Sequence, residues 1–142
     1  MSTRDQIGAL CWRPQGKGHE VLLITSRDTG RWVIPKGWRM QGLTDSRAAA
    51  QEAWEEAGIK GEPNDDAVGF FAYRKVLDGG KSVPCVVKVF PLKVDRLASA
   101  YPEKGQRRRK WFAPEKAAKK VDEPDLRQLI LSFMPQDDAA EG

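Results

Sequence analysis

Three glutamates, Glu52, Glu55 and Glu56, fall within five residues of the stretch QEAWEEAG, Gln51 to Gly58. On a helix each residue turns by about 100°, so the three carboxylates share one face within an arc of about 100°. Ala50, Ala53 and Ala57 lie roughly opposite and are free to pack on a sheet. Like charges placed side by side repel, and the C-terminal end of a helix prefers cations. A solvated acidic face is the plain alternative, but a bound cation would remove the conflict. With no histidine or cysteine nearby, oxygen-only ligation points to magnesium or manganese rather than zinc. Carboxylates that hold such an ion against phosphate oxygens are a recurrent arrangement in phosphate chemistry.

Just upstream, PKGWR sets Lys36 and Arg39 around Gly37, whose backbone can approach a ligand closely. A basic loop followed by an acidic helix offers cations to a phosphate chain and a metal to its bridging oxygen. Basic groups also gather in RDTGR and QRRRK. The chain's formal charge is +4, and three of its acids sit in the C-terminal PQDDAAEG, so the rest is more basic still. Such a surface suits polyphosphate, nucleic acid or an acidic membrane, or simply keeps a protein soluble.

The elements that must position these groups follow from pattern. IGALCWR and EVLLITSR read as strands around the turn PQGKG, and RWVIP as a short strand ended by Pro35. GWRMQGL reads as an irregular loop carrying Trp38. Thr44 is a plausible N-cap for the alanine-rich DSRAAAQEAWEEA, which Gly58 stops. AVGFFAYRKVL and VPCVVKVFPL flank DGGKS as a hairpin. RRRKWFA holds another strand, and PEKAAKK and PDLRQLILSFM are helices opened by prolines. The 142 residues are expected to form one α/β domain over residues 1–134, a mixed sheet covered by helices, with 135–142 a disordered acidic tail. Cys11 and Cys85 lie in apolar runs and read as buried free thiols. His19 reads as a surface residue, Trp54 as core or sheet packing, and Trp111 and Phe112 as core. No apolar run approaches the roughly 20 residues of a membrane span, and MSTRDQ does not read as a secretory signal. A cytoplasmic protein is expected, monomeric or homodimeric.

GWRMQGLTDSRAAAQEAWEEAGI, Gly37 to Ile59, resembles the Nudix box, a 23-residue pattern written GX5EX7REUXEEXGU with U aliphatic. Gly37, Glu52, Glu55, Glu56, Gly58 and Ile59 match without a gap, and Ala53 is a small aliphatic at a U position. Leu43 and Gln51 stand where the pattern has glutamate and arginine. An apolar contact and a neutral amide are expected to replace that ionic brace. Beyond the box, EVLLITSRDTGRWVIPKGW and RRRKWFAPEKAAKK are similar to the diphosphoinositol polyphosphate phosphohydrolase branch, which also cleaves dinucleoside polyphosphates.

The resemblance implies the α/β/α Nudix sandwich and a magnesium-dependent pyrophosphohydrolase, with manganese as a substitute. It implies Glu52 and Glu56 as metal ligands and Glu55 as the general base or a further ligand; Glu103, in the loop before QRRRK, reads as an exposed loop acid or an extra metal ligand. It also implies phosphate contacts from Ser26, Arg27 and Arg107, to which Lys36, Gly37 and Arg39 of the loop add. The expected partner is a polyphosphorylated small molecule: a dinucleoside polyphosphate or diphosphoinositol polyphosphate first, a nucleoside triphosphate next. Trp38 could stack on a nucleobase. Two other readings compete: a phospholigand-binding module that no longer cleaves, and RNA 5′-end hydrolysis through the arginine run. The latter ranks last because no added RNA-binding domain is present.

Overall fold

In a computed structural model of the chain, which describes residues 3–135, the alanine-rich stretch is helix α1, Asp45–Ala57. The Thr44 side chain accepts from the Arg47 N–H at its start. At its end Gly58 adopts a left-handed conformation (φ 66°, ψ 27°) and returns its N–H to the carbonyls of Ala53 and Trp54. The alternative residues at such a position carry a Cβ penalty that glycine lacks. Ala48, Ala49, Ala53 and Ala57 are fully buried, so the smooth alanine face lets the helix lie close on the sheet.

That sheet has eight strands: β1 (Arg4–Gln15), β2 (Gly18–Thr25), β3 (Trp32–Val33), β4 (Lys36–Trp38), β5 (Ile59–Pro63), β6 (Gly69–Val76), β7 (Ser82–Leu97) and β8 (Arg109–Phe112). The path β3-β2-β1-β7-β5 is joined by β4 on β1, β6 on β7 and β8 on β2. Only β1 and β7 run parallel, with Arg4 opposite Cys85 and Trp12 opposite Lys93; the other pairings are antiparallel. The mixed sheet is thus as expected. Strand β5, which follows Gly58 directly, is an addition: IKGEP has too little alternation to announce itself, and its long partner β7 recruits it.

Residues alternate between two cores, as strand geometry requires. Ile7, Ala9 and Cys11 of β1 with Leu22 and Ile24 of β2 face α1. Leu10, Trp12, Val21 and Leu23 face the other way, toward α2 (Pro114–Lys120) and α3 (Pro124–Ser132), through Ala117, Leu126 and Ile130. Helix, sheet and helix pair make three layers, the α/β/α sandwich. Cys11 and Cys85 are free and buried, as read.

Several expectations need correction. Trp54 is partly exposed, with the Lys60 ammonium over its ring at 5.1 Å, and belongs to neither core. Phe112 is core, whereas Trp111 is only partly buried against the α1-side cluster. His19 is partly exposed but not free: its ring packs edge-on against Trp12 and Phe133, and its Nε2 is buried. Leu43 is 45% exposed; Met40 makes the apolar contact to the core that Leu43 was expected to supply. The acidic tail from residue 136 lies outside the described residues. Among the described residues no helix is long and apolar enough to cross a membrane.

Candidate functional site

A cavity of about 460 Å³ opens where the end of α1, strand β4, the β2–β3 loop, strand β6 and the loop before β8 meet. Its lining acids are Asp28, Glu52, Glu56 and Glu103, of which Glu52 and Glu56 stand one helical turn apart. Glu56 is 6% exposed and hydrogen-bonded to Glu52 through the side chains. Burial raises the proton affinity of both. Burial, and the hydrogen bond with Glu52, push the Glu56 carboxyl up to about 9, and the opposing pull of the Arg107 guanidinium, 3.8 Å away, does not reverse this. Burial also raises Glu52, with Glu55 and Glu103 adding repulsion. Two carboxyls this close cannot both ionise without a counter-charge.

The fold supplies cations to the helix end that the sequence left bare. Arg109 donates from Nη1 to the Ala57 carbonyl (2.6 Å) and from Nη2 to the Ala98 carbonyl (2.9 Å), and lies over the Tyr101 ring. This caps the C-terminus of α1 from another strand. Arg107 reaches Glu56, Glu103 Oε1 (3.3 Å) and the Thr25 carbonyl (3.3 Å), spanning the site's floor.

Of the residues singled out from sequence, Ser26, Arg27, Lys36, Gly37, Glu52, Glu56 and Arg107 all line this cavity. Ser26 sits in a tight loop: its N–H donates to the Arg31 carbonyl (2.8 Å), and its hydroxyl shares a hydrogen bond with Thr29 (2.6 Å). Lys36 projects inward with its ammonium over the Tyr73 ring at 4.8 Å; burial lowers its pKa to about 8, partly offset by Glu56. Two residues are not brought in. Arg39 follows Trp38, which faces the cavity, and so turns to the opposite side, where it pairs with Asp45 at 2.9 Å on the outer surface. Glu55 does not line the cavity; its Oε2 accepts from the Gln51 amide at 2.8 Å, the neutral brace expected from the substitution. Glu103 does line it. Gln6, Arg31, Tyr73, Arg74 and Lys75 also line the wall. Nothing local in β6 announces a site; its pairing with β7 brings these residues there. A larger groove, about 580 Å³, lies between the β5–β6 connection and the end of α3 and contains neither acid of the pair.

The donor set suits a hard divalent cation. It is all oxygen, and the shared proton occupies the place of a positive charge. A Cβ at Gly37 would intrude on the Glu52 carboxylate, so glycine keeps that space open. Among the described residues no three His, Cys, Asp or Glu side chains converge as a closed metal cage. A pair is what an ion that keeps waters and takes further oxygens from phosphate requires.

The three-layer sandwich, with this acid pair on the helix beside a glycine of β4, defines the class, and the chain belongs to the NUDIX domain family, whose pattern matches residues 2–133. Among its relatives, "Nudix hydrolase 13, mitochondrial" of Arabidopsis thaliana is 33% identical over 107 residues, covering 69% of this chain and 51% of that protein. "Diphosphoinositol polyphosphate phosphohydrolase 3-alpha" of Mus musculus is 32% identical over 59 residues, 42% of this chain and 36% of that one. The chain thus spans about half the length or less of these two relatives. The fold is shared with the C. elegans Ap4A hydrolase structure, at a TM-score of 0.64 and 21% identity over 92% of this chain and 95% of that one.

Proposed function

We propose that the chain is a divalent-metal-dependent hydrolase that cleaves a diphosphate linkage in a polyphosphorylated small molecule. The observation that carries this reading is the Glu52–Glu56 carboxyl pair in a cavity also lined by Arg27, Arg31, Lys36, Arg74, Lys75 and Arg107. Glu52 and Glu56 would hold magnesium or manganese, which when bound lowers the pKa of water and neutralises phosphate charge. Lys36 binds and neutralises a phosphate oxygen. The backbone at Gly37 lets the substrate approach the acids. Arg107 holds Glu56 and Glu103 in place. Glu103 lines the cavity and Glu55 does not, which favours Glu103 as the acceptor of a proton from the attacking water, through the carboxylate oxygen that Arg107 does not hold.

Within this class the cavity favours a phosphate-rich, non-aromatic body, such as a diphosphoinositol polyphosphate, over a nucleotide. The rings of Tyr73 and Trp38 each already have a lysine ammonium against them, Lys36 at 4.8 Å and Lys75 at 5.9 Å. A base that stacked on those faces would displace a cation that phosphates would instead retain.

The test is phosphate or nucleotide release from diphosphoinositol, dinucleoside and nucleoside polyphosphates with magnesium, native protein against Glu56→Gln. Turnover abolished by the substitution supports the enzyme and names its substrate. Ligand binding with no turnover anywhere on the panel would instead make the chain a binding module.

A further inference from the structure

Arg31 ends the β2–β3 loop and stands in the cavity wall, close enough to Lys36 for the two cations to repel. Its Nη2 meets Glu123 Oε2 at 2.8 Å, and its Nη1 lies 3.6 Å from Asp122 Oδ2. Both acids come from the turn between α2 and α3, on the layer opposite the Nudix helix. Glu123 is 8% exposed, an unusual depth for a carboxylate.

The pairing is incomplete. Arg31 Nη1 and Glu123 Oε1 are both buried, and neither has a hydrogen-bond partner. Leaving a donor and an acceptor of a buried ion pair open is costly, because each has lost its water without a replacement. Such exceptions call for a specific explanation, a ligand-binding role among them. Lys36 beside it makes only the contact to the Tyr73 ring and no ion pair among the described residues. Arg31 therefore keeps an unpaired donor beside a lysine that has no ion pair among the described residues and on which Glu56 is the strongest opposing charge.

We propose that Arg31, beside Lys36, forms a phosphate-binding subsite that extends the acid-pair region and takes a further phosphate group of the substrate, and that Glu123 is the positioning residue that holds Arg31 in the wall. The inference rests on the reading that this cavity takes a polyphosphate. With Nη2 held by Glu123, Nη1 is the donor left for a phosphate oxygen, while the Lys36 ammonium neutralises another. Nη1 is covered in this structure, so the phosphate takes it as the wall shifts and the Asp122 side chain, 71% exposed and in a long contact worth little, moves aside. A ligand with one diphosphate fills the acid-pair region alone; a ligand with several phosphates fills both.

Two probes separate the regions without any need for turnover. These are methylenediphosphonate, whose P–C–P bridge is not hydrolysed, and inositol hexakisphosphate, each titrated calorimetrically with magnesium into native, Arg31→Gln, Arg31→Lys and Glu123→Gln proteins. Arg31→Gln is expected to weaken hexakisphosphate binding by about ten- to a hundredfold and diphosphonate binding by less than about threefold. Arg31→Lys keeps the charge but loses the fork, and falls between; it also serves if the glutamine variant does not fold. Glu123→Gln weakens the same probe selectively by about three- to tenfold. A purely structural role would lower thermal stability and affect both probes alike, and that result overturns the proposal. So does unchanged hexakisphosphate affinity, or its absence in the native protein. Turnover on the substrate panel with Arg31→Gln binding unchanged would sink the subsite and leave the hydrolase standing. Selective loss without turnover would do the reverse.

Discussion

Gly37→Ala should separate catalysis from stability. An alanine Cβ at this position would fall within 2.5 Å of both carboxylate oxygens of Glu52. Ordinary contact between such atoms is near 3.5 Å, so the carboxylate must retreat by about 1 Å. A displacement of that size at a reacting centre costs on the order of a hundredfold in rate, or about 2.7 kcal/mol of transition-state stabilisation. The fold loses little. Gly37 does not have a positive φ, so alanine is compatible with its backbone and restricts the unfolded chain, a gain of about 0.4–1 kcal/mol. Swinging Glu52 to another rotamer costs about the same. The expected outcome is kcat/KM down about a hundredfold on whichever panel compound the native protein turns over, weaker magnesium dependence, and a Tm within about 4 °C of the native protein. Native activity would refute the claim that Glu52 needs this space. A fall in Tm of well over 10 °C would show that Gly37 serves packing instead.

Two further outcomes follow from the acid pair and its cap. Arg109→Ala removes both hydrogen bonds and leaves the Ala57 and Ala98 carbonyls without that donor, a loss of about 2–4 kcal/mol readable as a lower urea midpoint; Arg109→Lys should recover only part of it. Without metal, Glu56 keeps its proton in the folded state up to about 9 but loses it near 4.5 when unfolded, so stability is fully present below that lower value and declines as pH rises between the two. Thermal melts in chelator should therefore fall from pH 5.5 to 8.5, Glu56→Gln should flatten that slope, and magnesium should raise the native Tm more at pH 8.5, where less proton must be displaced.

The Nudix helix was legible because its chemistry is local. N-cap, alanine face, glutamate register and glycine stop all lie within a few turns, and helical geometry alone places Glu52 beside Glu56. Glu55 shares that arc only in projection; Gln51 draws its carboxylate away from the cavity. Arg39 was misplaced because GWRMQGL was read as a loop, whereas β4 imposes alternation on its first residues. The rest was not legible because it depends on distant pairing. Arg74 and Lys75 reach the site through β7, Glu123 through the packing of α2 and α3, and Arg109 through β8 against β2. No spacing in the chain records those meetings. His19 shows a subtler miss: a single polar residue in a glycine-rich turn read as a surface residue and is partly exposed, yet its ring packs against Trp12 and Phe133.

Strand β7 has a kinetic meaning as well. Its sixteen residues pair with β6 and β5 on one edge and with β1 on the other, so it is the spine to which both ends of the molecule attach. On a ribosome the N-terminal strand, the β4 glycine and the Nudix helix all emerge before it. Arg4 must wait for Cys85 to be synthesised before its parallel ladder can close. Until then the alanine face of α1 has only half a sheet to lie on, and the glutamate pair has no fixed wall opposite it. Closing so distant a parallel pairing is entropically slow, and the apolar β1 and β2 remain open to wrong partners meanwhile. Mutations that loosen β7 should therefore appear first as poor yield from the cell, before any defect is measurable in the folded protein.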